Sequence, residues 1–156
     1  MSNAKETVRA FYKSDILKDD TVLSRFFHKD IVLIWNSADG LSIMHYEDLV
    51  GFFGEIKRTY NDLRIEVSHL LQDDEHITIR YKYYVRTIEN PDEELGIAHF
   101  IAIWEVKDDQ LYRGYQVSQP VTDMDDTTES YHKLRFNFTF LYPSKGVSLQ
   151  RKIFSI

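Results

Sequence analysis

Cysteine is absent from the 156 residues. That excludes disulfides and thiolate chemistry and removes the commonest structural zinc ligands, so a reduced, cytoplasmic setting is expected. Proline and glycine are scarce, at three and six residues, which leaves few forced breaks in regular structure. No run of 18 apolar residues occurs, so no transmembrane helix is expected. The polar stretch Met1 to Glu6 lacks the apolar segment of a secretory signal. No Gly-rich phosphate loop and no serine elbow motif is found.

What the chain does hold is apolar and aromatic material, 43% and 14% of its residues. At this length that is enough for one core. The formal charge of -6 is unevenly spread: after Ser130 come Lys133, Arg135, Lys145, Arg151 and Lys152 with no acidic residue. The body before it is strongly acidic and repels phosphate backbones, so nucleic acid is not an expected partner. Residues 1-122 are expected to form the domain, and residues 123-156 a C-terminal extension.

Hydrophobic spacing gives the element order. Val8, Phe11, Tyr12 and Ile16 fall at helical spacing and predict a helix from Lys5 to Leu17. Val22, Leu23, Phe26 and Phe27 predict a second, short one with Asp20 as its cap. Asp30 to Asn36 reads as a strand, and Ser37 to Gly40 as a turn. Tyr46, Leu49, Val50, Phe53 and Ile56 mark the third helix, with Glu47 and Asp48 in the first turn where the dipole favours negative charge.

From Tyr60 onward the period is two. Ile65, Val67 and His69, and then Ile77, Ile79, Tyr81, Tyr83 and Val85, alternate with polar residues. Gly96 to Lys107 follows, apolar on both faces, and turns through Asp108 and Asp109 into a strand ending at Pro120. A strand apolar on both faces is covered on both. The expected covers are the chain's own helices, leaving a lined cavity, and a second subunit. The fold class is therefore α+β, three N-terminal-half helices on a curved, mainly antiparallel sheet.

The Phe26 to Asn36 segment, the Tyr46 to Tyr60 helix and the closing pair with Trp104 to Arg113 together resemble the SnoaL-like branch of the nuclear transport factor 2 (NTF2)-like superfamily. The resemblance spans about Lys5 to Gln119. It implies a cone-shaped α+β barrel, a homodimer through the outer sheet face, and a pocket between helices and sheet. It also implies a range of activities, from polyketide cyclases, isomerases, epoxide hydrolases and dehydratases to non-catalytic binders, so the fold leaves function open.

Working enzymes of that superfamily are implied to use a pocket Asp or His as base or acid, with a Tyr or second acid donating to an oxyanion. Gln116 resembles the position where several carry a carboxylate, and an amide cannot exchange protons. Trp35 and Asn36 stand near where relatives place a Tyr or Asn, and Tyr81 and Tyr83 near where the epoxide hydrolases place an Arg and an Asp. His99, between Ala98 and Phe100 in an apolar strand, is the candidate for proton chemistry with Tyr81 or Tyr83; the plainer reading is a buried histidine satisfied by a neighbour. Strand alternation leaves its face open, because a bulge reverses parity.

Trp35, Asn36, His45, Phe53, Phe100, Trp104 and Gln116 are the candidate ligand-binding residues, suited to a small apolar or aromatic molecule held by a few directed hydrogen bonds. His45, His69 and His99 form no local metal motif, so neither metal nor cofactor is expected. Three functions follow: a small-molecule binder, a cofactor-independent isomerase, cyclase or dehydratase, and a dimeric scaffold. In the extension, Leu134, Phe136, Phe138 and Phe140 alternate with polar residues and predict a strand, in a hairpin that extends the sheet, covers the partner surface or exchanges between subunits; the plainer reading is a disordered tail with no evolved role.

Overall fold

The structure, a computed structural model, describes residues 3–122 and Tyr131. The strand expected within 134–140 lies outside the described residues. The order is α1 (Ala4–Lys13), α2 (Val22–Phe26), β1 (Phe27–Ser37), β2 (Gly40–Met44), α3 (Tyr46–Thr59), β3 (Tyr60–Asp73), β4 (His76–Thr87), β5 (Glu94–Lys107) and β6 (Gln110–Pro120). All six strands form one sheet in the order β2-β1-β6-β5-β4-β3, antiparallel except for β1 against β6. This is the expected α+β arrangement.

Two elements differ from the sequence expectation. Helix α1 stops at Lys13 rather than Leu17, because Ser14 is extended (ψ 158°) and its hydroxyl donates to the Phe11 carbonyl at 2.5 Å. Ile16 reaches the core all the same, from the following loop. Strand β2 was not expected: after the Ser37 to Gly40 turn the chain pairs back on β1, Ser37 with Gly40 through Leu33 with Met44. Gly40 sits at φ 107°, a conformation that costs a residue with a side chain.

The other turns are made by aspartates. Asp108 and Asp109 both take positive φ between Lys107 and Gln110, the two-residue hairpin geometry that matches the strand twist. Shifts of register in β3, β4 and β5 bend the sheet around the helices. Helix α3 begins at His45, whose backbone N–H donates to Asp48 at 2.8 Å.

The helices cover one face. There Val8, Phe11 and Tyr12 of α1 and Leu49, Phe53 and Ile56 of α3 are buried against Leu33 and Trp35 of β1 and the inward residues of β4 and β5. A Cβ on Gly114 would stand 2.5 Å from Trp104 and 2.8 Å from Leu33. The missing side chain is the space that the indole occupies. Among the described residues, no helix is long and apolar enough to cross a membrane.

Candidate functional site

The inner face of the sheet carries a directed chain of buried hydrogen bonds. Trp104 Nε1–H donates to the Tyr12 phenol at 2.9 Å, Tyr12 donates to Tyr81 at 3.4 Å, and Tyr81 donates to Gln116 Oε1 at 2.8 Å. Tyr12 and Tyr81 each accept one bond and donate the next, so the bonds polarise one another. A second bond runs from Trp35 Nε1–H to Ser118 Oγ at 2.7 Å. Every member of both is buried.

The alternation of the strands explains why these groups meet. Cross-strand register sets Tyr81 opposite Phe100 and Phe100 opposite Ser118, while Gln116 lies between Trp35 and Ala102. Tyr81 stacks on Phe100 with the planes 3° apart and centroids at 4.9 Å. Tyr83 lies 4.7 Å from Phe100, Trp35 packs edge-on against Phe52, and Phe52 against Phe53. Six predicted side chains, Trp35, Phe53, Tyr81, Tyr83, Phe100 and Trp104, thus share one aromatic core with Gln116. These rings pack between the helices and the sheet, the place where the sequence led to the expectation of a lined cavity.

Three predicted residues lie elsewhere. Asn36 is exposed and pairs with Leu41 and Val117, on the face turned away from the helices. His45 is exposed at the start of α3, its Nδ1 3.6 Å from Asp48. His99 pairs with Lys82 and Gln119, one residue from inward-facing Phe100, and so projects from the outer face. There its ring stacks on Tyr131 at 5.4 Å. The sheet therefore separates His99 from Tyr81 and Tyr83.

The inner phenols are held neutral. Burial pushes Tyr12 up to about 12, although its bonds to Tyr81 and Trp104 pull the other way. Tyr81 and Tyr83 are raised further, first by burial and then by neighbouring phenols. The buried polar side chains among the described residues are His28, Lys82, Thr87, Gln116 and Ser118, with no carboxylate. His28 lies at the start of β1, its Nδ1 accepting from the Asp30 N–H at 3.0 Å and its Nε2 3.5 Å from Asp108. Among the described residues, no three His, Asp or Glu side chains gather as a metal site would need.

Two clefts open where α1 crosses the edge of the sheet, and both are lined by Tyr12, Lys13 and Val67. One, of about 270 Å³, continues to His69, Leu70 and Ile79; the other, of about 540 Å³, continues along β3 past Leu63 and Ile65. Tyr12 therefore joins these openings to the buried hydrogen-bond chain. The sequence placed Tyr12 in the core stripe of α1 and did not give it a site role. The usable signal was its hydroxyl, since a phenol buried on a helix stripe needs a partner.

The SnoaL-like domain family matches residues 6–114. A search of the curated proteins finds no match. Among solved structures, the chain is similar to IdmH, a candidate polyketide cyclase from Streptomyces antibioticus, with 13% identity and a TM-score of 0.61 over 75% of this chain and 92% of that one. An NTF2-like protein of unknown function from Burkholderia pseudomallei is similar at 13% identity and a TM-score of 0.56, over 85% of this chain and all of its own. TerC, co-crystallised with polyporic acid, is similar at 14% identity and a TM-score of 0.54 over the same shares. At such identities the likeness is one of fold. The family match, covering most of the chain, carries membership: this chain belongs to the SnoaL-like domain family and has an NTF2-like fold.

Proposed function

We propose that this SnoaL-like protein binds a small, planar, largely apolar molecule at the α1 edge of the sheet, against Tyr12. The observation that carries the reading is the continuity from two open clefts, through Tyr12, to the buried Tyr81 and Gln116. Val67, Leu70 and Ile79 supply apolar walls, and the phenol oxygen, whose proton goes to Tyr81, has a second lone pair that can accept one directed hydrogen bond beside that from Trp104. That TerC was co-crystallised with polyporic acid supports a ligand of this kind on this fold.

Binding is favoured over turnover. The phenols stay protonated at neutral pH, so they donate hydrogen bonds and do not act as bases. Gln116, the acceptor at the end of the chain, cannot exchange a proton. An isomerase, cyclase or dehydratase working through His99 with Tyr81 or Tyr83 would need those groups on one side of the sheet, and they stand on two. The scaffold reading keeps one supporting fact, the ring-filled interior.

Of the chain's two tryptophans, Trp104 donates to Tyr12 and so reports on this region. Titration with polyporic acid as a planar probe, read by tryptophan fluorescence, is expected to give saturable quenching that Tyr12→Phe weakens by roughly tenfold, the worth of one good hydrogen bond. Quenching that never saturates, with no small molecule retained by the purified protein in native mass spectrometry, would leave the scaffold reading in its place.

A further inference from the structure

The face of the sheet turned away from the helices is apolar along two rows. Val117 pairs with Ile101 and Tyr115 with Ile103, and all four are exposed. One row runs on through Asn36 to Leu41, the other through Ile34 to Ile43, and Leu41 and Ile43 are also exposed. Large apolar groups placed side by side in this way mark a surface that something covers.

One described residue from beyond β6 sits on that face. Tyr131 is 6% exposed, its ring parallel to His99 within 13° and the Arg80 guanidinium 4.0 Å from its centre. A recess of about 350 Å³ beside it is lined by Ile101, Val117 and Gln119 as well. The seat of Tyr131 is thus continuous with the first apolar row.

We propose that residues 132–156 of this same chain cover the outer face, anchored by Tyr131 between Arg80 and His99. Leu134, Phe136, Phe138 and Phe140 recur at a spacing of two, so an extended segment turns all four to one side. Reach is sufficient: residues 132–140 span about 30 Å when extended, while the strands from β4 to β2 extend over about 19 Å at their usual spacing. Lys133, Arg135, Asn137 and Thr139 fall on the other side, toward water. The rival occupant is a second copy of the chain, which cannot use the same surface while the tail lies on it.

A cysteine-free chain allows one reporter thiol. Val117→Cys, in the full-length protein, is expected to react with a maleimide slowly relative to Asp39→Cys on the exposed β1–β2 turn, at a rate that dilution does not change. Phe136→Ser with Phe138→Ser should raise the rate at least about tenfold, as opening of a local cover would, and so should Tyr131→Ala; circular dichroism checks that these variants remain folded. Fast labelling of the parent protein would overturn the proposal. So would slow labelling that is lost on dilution together with a dimer mass in light scattering, which would assign the face to a second copy. Acceleration by the phenylalanine pair but not by Tyr131→Ala would refute the anchor.

Discussion

Raising the pH above 10 should unfold this protein through its core, because Tyr12, Tyr81 and Tyr83 are buried in contact with one another and held neutral. In the unfolded chain a tyrosine ionises near its ordinary pKa of about 10. The folded values are higher, so above that pH the native state binds more protons than the unfolded state and stability falls as pH rises. This contribution is intact below pH 10. For Tyr12 the loss runs from the unfolded value up to its folded value of about 12, which amounts to roughly 3 kcal/mol. While all three stay neutral, the combined slope is about 4 kcal/mol per pH unit. A domain with about 5–10 kcal/mol of stability at neutral pH would then unfold between about pH 11 and pH 12.5. The assay is absorbance at 295 nm, which reads tyrosinate, recorded beside far-ultraviolet circular dichroism. Of the ten tyrosines, the surface ones should titrate near pH 10, and the core phenols should appear in one step that coincides with loss of ellipticity. A smooth titration of all ten with native ellipticity retained would refute both the burial and the neutrality argued above.

Two further outcomes follow from the same packing. Gly114→Ala would put a methyl group 2.5 Å from the Trp104 ring, which its bond to Tyr12 holds in place; a loss of about 1–3 kcal/mol in urea denaturation is expected, and an unchanged midpoint would mean that the indole is free to shift. Gln116→Glu would put a buried carboxyl at the acceptor of Tyr81. Burial raises its folded pKa above the unfolded value of about 4.3, so the variant should match the parent most closely near pH 4 and lose stability as pH rises; an equal deficit at pH 4 and pH 8 would count against the desolvated site.

The helix stripes and the period-two runs were legible because one periodicity decides each of them. Tyr46, Leu49, Phe53 and Ile56 can share a face only in a helix, and Ile77 to Val85 only in a strand. Strand β2 is hidden in the sequence for a physical reason: Leu41 and Ile43 are exposed, so the five residues write no buried face. The parallel pairing of β1 with β6 is set by contacts some eighty positions apart, which no local pattern records. For the candidate site, residue types were readable and sides were not. Strand β5 is apolar on both faces, and only pairing Tyr81 with Phe100 assigns His99 to the outer one.

That assignment changes what the closing hairpin does. Its inner residues, Trp104, Phe100, Gln116 and Ser118, are committed to a closed set of hydrogen bonds and stacked rings, and replacing any polar member leaves a buried partner unsatisfied at a cost of about 1–3 kcal/mol. Its outer residues, Ile101, Ile103, Tyr115 and Val117, carry no such constraint among the described residues and stand exposed. On the proposed binding reading, specificity resides at the rim, where Tyr12 belongs both to the closed network and to the lining of the open clefts. Substitutions at Val67 or Leu70 should change which molecule is held while leaving the core intact, whereas changes at Ile79, Tyr81 or Gln116 should register first as lost stability. Comparing the denaturation midpoint with ligand-induced quenching for Leu70→Ala and Tyr81→Phe separates the two roles, and quenching that fails in parallel with stability in both variants would place the binding determinants inside the core.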